Sequence, residues 1–403
     1  MKRSLSSVLV LLLCGACLDP IRGAADLECT PEVSATACQP PEQRGQARKV
    51  TVGTRHACAL LETGGVRCWG DAGLVGDGTR APRPTAVDVR GLGSGVLSVS
   101  AGGQHTCAVL EGGTVRCWGD NSRGQLGTGD TQASLEPVEV PGLGANVTSV
   151  TAGQSHSCAL HAGGQVTCWG ANDRLQLGGG TLTHSTRAVL VEGLPANLTA
   201  LTAGATHTCA STAAGEAWCW GSNTSGELGD GQSGVDRSSG PVRVDGLPGP
   251  SRALATGGGH TCARVGDGEV ACWGSNATGA LGDDTALDSV SPVRPVGLAS
   301  GVRQVRAGWA FTCAVVADGD VRCWGQNQSG QLGDGTRLHR AAPVRVAGLP
   351  EEAEDVAAGM TSACAVLRDG RVWCWGGNAQ GQLGDGTQMD RVAPVAVEGL
   401  DAP

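Results

Sequence analysis

The chain has no tyrosine and one phenylalanine, so ten tryptophans supply nearly all of its bulky aromatic area. Aromatic side chains normally dominate buried area, and a core of clustered rings is therefore excluded; Val, Ala, Leu and Trp must serve, helped by some other source of stability. Basic residues are also few. Against 38 Asp and Glu stand 29 Lys and Arg, a formal charge of −9, and they form no basic stripe. That leaves no electrostatic footprint for nucleic acid, since neutralising phosphates needs clustered Lys and Arg. Long apolar runs are missing too: the stretch Val8–Leu13 is far too short to span a bilayer. What is abundant is glycine, 66, and cysteine, 18, in 403 residues, a length that fits two or three ordinary domains or one large repeat domain.

The N-terminus has a positive start (Lys2, Arg3), the apolar run, and small residues before Cys17, which predicts an export signal over residues 1–17. Its ending, Cys14-Gly15-Ala16-Cys17, is similar to a bacterial lipobox, although Cys14 stands where Leu is usual. The expectation is lipidation at Cys17 and an anchored position in the cell envelope, at the outer membrane, with a secreted or periplasmic form as the alternative. Removal of Lys2 and Arg3 with the signal takes the charge from −9 to −11. Residues 18–47, with Pro20, Pro31, Pro40 and Pro41 and no apolar periodicity, read as a flexible tether in which Cys29 and Cys38 close a small loop. Exported chains meet oxidising conditions, where cysteines pair.

From residue 48 to 403 the chain repeats itself. The Trp of Cys-Trp-Gly falls at Trp69, Trp118, Trp169, Trp220, Trp273, Trp324 and Trp375, at intervals of 49 to 53 residues. Each unit contains a short strand ending in Ala-Gly, a second strand, a Gly-rich turn, a third strand ending in Trp-Gly, a long Gly/Asn/Asp loop, and a strand that usually opens on Pro. Four short antiparallel strands per period of about fifty predict an all-β, seven-bladed propeller. The C-terminal Pro394–Leu400 segment reads as a fourth strand with nothing after it, and Lys49–Gly53 as a first strand with nothing before it. Joining the two ends would close the ring and remove two sheet edges.

The units resemble the repeat of the regulator of chromosome condensation family. The resemblance is carried by Ala101-Gly102-Gly103-Gln104-His105 with Ala108, by Trp118-Gly119-Asp120-Asn121 and Gly124-Gln125-Leu126-Gly127, and by a second clear copy at Trp324–Asn327 with Gly330–Gly333. It covers residues 48–400 and implies a seven-bladed propeller. It implies less about function, because fold and function separate: members include a nucleotide exchange factor for a nuclear GTPase, domains fused to ubiquitin ligases, a plant ultraviolet photoreceptor and a secreted β-lactamase inhibitor, all binding or scaffold platforms. The uniform spacing leaves no room for an exchange-factor wedge. Departures from the pattern, Ala72 at the Asn position of the first unit with a loop two residues shorter, and Leu175 for Gly in the third, point to locally remodelled loops.

Seven cysteine pairs share one spacing: Cys58/Cys68, Cys107/Cys117, Cys158/Cys168, Cys209/Cys219, Cys262/Cys272, Cys313/Cys323 and Cys364/Cys374. Each flanks the turn between second and third strands, which sets the two residues opposite one another at a non-hydrogen-bonded site about 4.5 Å apart, within disulfide reach. The rival is a His/Cys/Cys metal site. Phe311 and Ser362 replace the His in units six and seven while both cysteines stay, so the pair does not need the His, and one disulfide per blade is the expectation. The recurrent His56, His105, His156, His207 and His260 are read as hydrogen-bonding residues that tie a loop to backbone. The Asp-Gly-Thr turns at Asp77, Asp334 and Asp385 lack the alternating oxygen ligands of a calcium loop and read as ordinary turns.

No nucleophile with base and orienter, phosphate loop, metal site or cofactor motif stands out. The sharpest break in the pattern is Gly308-Trp309-Ala310-Phe311-Thr312, with Met360 at the equivalent place in the next unit; Trp309, Phe311 and Met360 are the candidate partner-binding residues. A single Trp at this place does not carry over the photoreceptor's chemistry. The expectation is a monomeric, non-enzymatic binding or scaffold protein of the cell envelope that touches the membrane only through its lipid anchor and binds an unidentified protein, or a surface glycan, through one propeller face. The alternatives are a hydrolase or lyase at the central channel, marked by converging carboxylates, and, below it, a guanine-nucleotide exchange regulator.

Overall fold

Turn chemistry cuts each repeat into four strands. In the second repeat Val96–Ala101 runs out to a Gly102–Gly103 turn, His105–Leu110 returns, a Gly-Gly turn reverses it into Val115–Gly119, and a long loop leads to Ser134–Glu139. The computed structural model describes residues 45–400, the side chains of 235–239 set aside. Among the described residues, 28 strands make seven four-stranded antiparallel sheets, each in chain order. First strands of successive sheets touch around a common axis, so the sheets are blades of a propeller with the first strand innermost. The first blade begins at Ala47, one residue before the expected boundary and inside the expected tether. Cys17, Cys29 and Cys38 lie outside the described residues.

All seven hairpin pairs are disulfides, one in each blade and in the expected pairing: Cys58 with Cys68, Cys107 with Cys117, Cys158 with Cys168, Cys209 with Cys219, Cys262 with Cys272, Cys313 with Cys323, and Cys364 with Cys374. In every pair the two residues are direct register partners of the second and third strands. Their Cα atoms lie 4.0–4.1 Å apart. That is closer than the spacing of about 4.5 Å expected for an ordinary non-hydrogen-bonded pair, because the covalent bridge draws the strands together. Each closes a loop of about eleven residues, worth roughly 3 kcal/mol by chain entropy. Every one is fully buried, packed with core residues of the blade and its neighbour: Cys107, Val109 and Cys117 of the second blade meet Val150, Ala159 and Trp169 of the third.

Three sets of bonds tie the blades together, two of them at all seven interfaces and one at five. The seven buried Cys-Trp-Gly tryptophans donate Nε1–H to a loop carbonyl of the preceding blade at 2.8–3.0 Å, as Trp169 does to Gln125. The five histidines reach forward through Nε2 to a hydroxyl of the following blade at 2.6–2.9 Å: Thr106, Ser157, Thr208, Thr261 and Thr312. The last four hydroxyls spend their own hydrogen on the carbonyls of Gln125, Gln176, Glu227 and Ala280. Nε2 must therefore be the donor, which fixes the neutral tautomer with a bare Nδ1. The tie runs to backbone through a hydroxyl rather than directly.

The third set is a belt of main-chain bonds around the axis. The N–H of Thr54, Gly103, Gln154, Ala205, Gly258, Trp309 and Met360 each reaches a glycine carbonyl of the following blade at 3.0–3.4 Å, and the last, Met360 to Gly53, joins the seventh blade to the first. The belt explains why glycine ends each first strand. A Cβ on Gly53, Gly102, Gly153, Gly204, Gly257, Gly308 or Gly359 would lie 2.6 Å or less from the neighbouring blade's carbonyl.

The ring closes between the chain's two ends, as expected, but by faces rather than by a shared sheet. The last strand, Arg391–Ala396, pairs only within its own blade. Beyond it Val397 and Leu400 bury against the first blade, Glu398 accepts from Ala86 N–H, and Arg67 donates to the carbonyls of Gly399 and Leu400. A shared sheet is unnecessary because the seventh interface uses the same Trp bolt, Trp69 to Gln382, as the other six.

Two stability measurements check this account. Gly204→Ala is expected to destabilise the fold by about 1–3 kcal/mol, the usual range for overpacking, whereas Gly163→Ala, at a hairpin tip where an added Cβ meets nothing within 4 Å, is expected to be neutral or slightly stabilising in urea melts. Burial pushes the histidines down from 6.5 to about 3 for His56, His156 and His260 and about 4 for His105 and His207, neighbouring histidines adding to the shift at the first three. The unfolded chain then takes up protons below 6.5 that the fold refuses, so stability falls as pH drops from 6.5 towards 4, by up to about 1.4 kcal/mol per pH unit for each histidine. His156→Phe, the residue used by the sixth blade, is expected to lower that slope by one histidine's share when urea melts are compared across this window.

Candidate functional site

Because strands alternate in direction, the Ala-Gly turns after the first strands and the long loops after the third open on one end of the ring, the turns near the axis and the loops farther out. In six blades the long loop is built around a buried Asn: 121, 172, 223, 276, 327 and 378 in turn. Its Oδ1 accepts the N–H of the Leu five residues on at 2.9–3.1 Å, and its Nδ2 donates to carbonyls farther along the loop. The expected remodelling of the third loop does not occur. Leu175 adopts φ 61 where sister blades place glycine, keeping the path at a cost of about 1–2 kcal/mol. In the shortened first loop Asp71 replaces the missing Asn: its carboxylate accepts from Ala72 N–H, its carbonyl accepts from Leu74 N–H, and it pairs with Arg55 at 3.0 Å.

The acidic turns carry their own cations. Asp77, Asp334 and Asp385 pair with Arg83, Arg340 and Arg391 at 2.6–3.0 Å and accept from Thr79, Thr336 and Thr387. Burial alone would raise these carboxyls, but the threonine and arginine bonds hold them below the ordinary range. Among the described residues no group of three or more His, Cys, Asp or Glu is placed to hold a metal.

At the axis the turns rim a cavity of about 80 Å³, lined by the Ala-Gly residues with Thr54, Gln154, Thr256, Trp309 and Met360. It is a shallow mouth open to solvent, small beside the roughly 300–1,000 Å³ of enclosed small-molecule sites. No carboxylate, His or Cys lines it. The rim is two-sided. Gln154 folds over Gly103 and meets Thr54, while the Trp309 ring lies over Gly258, both glycines leaving space that a Cβ would fill. Trp309 is 40% exposed and Met360 half-buried beside it. Phe311 is not on this surface. It is fully buried in the core between the sixth and seventh blades with Leu332, Val346 and Trp375, because it takes the inward place that histidine holds elsewhere; it is no partner-binding residue.

Two features escaped sequence reading. On the long loops Leu287, Leu338 and Met389 stand at equivalent places in the fifth, sixth and seventh blades, each eleven or more residues past Cys-Trp-Gly and 74%, 63% and 60% exposed, where the second, third and fourth blades have Gln132, Thr183 and Gly234. Aligning the loops on their Asn would have exposed the run. The other lies in the channel wall. Inner-edge N–H groups need acceptors, and in the early blades a hydroxyl of the preceding blade provides one: Thr51 for Ala101, Ser100 for Ala152, Thr151 for Ala203, at 2.9–3.0 Å. Two residues farther from the belt, between blades six, seven and one, Asp355 accepts from Val50 N–H at 3.0 Å and Gln304 Nε2 at 2.5 Å, with Arg306 Nη2 at 3.6 Å, and Gln304 Oε1 accepts from Val356 N–H at 2.8 Å.

Comparison with known proteins agrees with this geometry. Models of the regulator of chromosome condensation (RCC1) repeat match residues 47–73, 96–125, 147–176, 199–227, 252–280, 302–331 and 353–382. The ultraviolet-B receptor UVR8 of Arabidopsis thaliana is 32% identical over 363 residues, 87% of this chain and 81% of that protein. The human E3 ubiquitin-protein ligase HERC2 is 30% identical over 69% of this chain, which spans only 6% of the ligase. Among solved structures, Prp20p of Saccharomyces cerevisiae superposes with a TM-score of 0.74 at 21% identity, covering 90% of each chain, and human WBSCR16 with 0.71 at 24%, covering 79% and 86%; at these identities the likeness speaks for the fold. With seven matched repeats, one per blade, the chain belongs to the regulator of chromosome condensation repeat family.

Proposed function

We propose that this chain is an exported scaffold of the cell envelope, anchored by a lipid on Cys17, that binds a protein partner through the face holding Trp309. The observation that carries the reading is the run of Leu287, Leu338 and Met389 on three adjacent blades with Trp309 and Met360 inward of them. Exposed apolar groups on successive blades with a Trp and Met among them are the composition of interface anchors. The relatives lend support at the coarser level, since a solved structure of the similar Prp20p is described by its binding to Gsp1p and histones. A catalytic role at this mouth lacks the converging carboxylates it would require.

Crosslinking in intact cell envelopes followed by capture tests the face. A triple variant, Leu287→Asp with Leu338→Asp and Met389→Asp, is expected to reduce the captured partner at least tenfold, about 1.4 kcal/mol. Leu97→Asp, also exposed but at the start of a first strand and hence on the opposite end, is expected to leave it unchanged. Equal capture by the unaltered protein and both variants would overturn the assignment. For the anchor, Cys17→Ser is expected to move the protein from the sedimenting membrane fraction to the soluble fraction.

A further inference from the structure

We infer that the outer edge of the third blade is a docking site for an extended peptide that carries acidic side chains. Every blade ends on an outermost strand with no strand partner on its outer side. Such edges recruit foreign strands unless proline, charge or a covering segment blocks them. At the place before the valine that pairs with the third-strand cysteine, five blades have proline: Pro137, Pro241, Pro292, Pro343 and Pro394. The first and third blades have Ala86 and Ala188 there. The N–H at this place points out of the sheet, because Ala86 donates it to Glu398 O of the seventh blade at 2.9 Å. The first edge is thus covered by a segment of the chain itself, whose Val397 and Leu400 bury against the blade.

The third edge has neither guard. Two residues on from Ala188, where five other blades carry Asp88, Glu139, Arg243, Arg294 and Arg345, stands Leu190, 51% exposed, with Val189 beside it 36% exposed. The open stretch runs from Ala188 to Leu190, since before it Gly129 N–H of the second blade's long loop already takes Thr186 O at 2.8 Å. At that limit Arg187 is exposed, its guanidinium lying over Gly129, and no carboxylate among the described residues pairs with it. A strand added here gains main-chain bonds at Ala188 and Leu190 and apolar contact at Val189 and Leu190, and an acidic side chain on it answers Arg187. A second copy of this edge suits it less, because two-fold pairing would bring two Arg187 guanidinium groups onto one short edge.

The test follows hydrogen exchange of the Ala188 and Leu190 amides in the full chain. The probe is the peptide Ac-Gly-Glu-Val-Thr-Val-Glu-Gly-NH2, with the same peptide carrying lysine for glutamate as control. Strand addition is expected to slow both amides at least tenfold at saturation, and the glutamate peptide to bind at least tenfold more tightly than the lysine peptide at low salt. Ala188→Pro installs the residue of five sister blades, so the fold is retained, as a melting curve verifies, and binding is expected to fall at least tenfold. Leu190→Glu, the second blade's residue at this place, is expected to weaken it as much. The triple variant at Leu287, Leu338 and Met389 is expected to bind the probe as the unaltered protein does, which separates this edge from the partner-binding face. Unslowed amides, equal binding of the two peptides, or an unchanged titration of Ala188→Pro would overturn the site. So would a dimer in sedimentation that Ala188→Pro dissociates, since that assigns the edge to a second copy.

Discussion

The whole ring depends on how closely neighbouring backbones approach at its axis. Seven first strands must converge there, and each hands an N–H to a glycine carbonyl of the next. Any side chain on that glycine would stand in the carbonyl's place. The constraint propagates outward. With the inner turns locked to one another, the second strand's His and the third strand's Trp are aimed at fixed points on the adjoining blade, and their polar atoms find partners there. A core with little aromatic area becomes adequate because each of its few large rings is fully buried and hydrogen-bonded, leaving no desolvated donor at seven of the ten tryptophans.

Disulfides complement this arrangement by acting within blades, where the belt does not reach. Each joins the second and third strands behind the bolts, and so stiffens the hairpin that carries both the His and the Trp. Interfaces between blades are then free to vary. Phe311 and Ser362 replace His in the last two blades without loss of the Trp bolt or the belt, which is possible because those two kinds of bond serve every interface independently of the His.

The fold was legible because its determinants are local and repeated: turn glycines, the Cys-Trp-Gly strand and the spacing of the cysteines are written seven times over. What was less legible depends on where a side chain points across an interface. Phe311 looked like an exposed anchor beside Trp309, but strand alternation turns it inward to the histidine's place. Leu175 looked like a broken loop, yet the surrounding Asn172 network holds the residue in a glycine conformation. The mode of ring closure was hidden for a similar reason. A terminal strand without a neighbour in the sequence suggests a shared sheet, whereas here the faces of the first and last blades meet as any other pair does. Asp355 gave no motif to recognise, because it answers a need for an acceptor that only the assembled inner edge creates.

Redundancy also determines where function can reside. A residue in the belt, the bolt or the staple is constrained by two blades at once, so changing it to suit a ligand would unsettle the ring. At the positions one step removed, the residue after the belt glycine, the channel-facing residue of the first strand and the tip of the long loop, the side chain differs from blade to blade while the belt and bolt persist. In the last blades these positions depart from the early pattern: Trp309 and Met360 after the glycine in the sixth and seventh, Arg306 between Ala255 and Ala357 on the first strands, and Leu287, Leu338 and Met389 at the tips of the fifth to seventh. Departures scattered by drift would fall on any blade and either face. Their concentration on adjacent blades, with apolar tips outside and Trp309 and Met360 at the axis, is the pattern expected of a surface shaped to receive something.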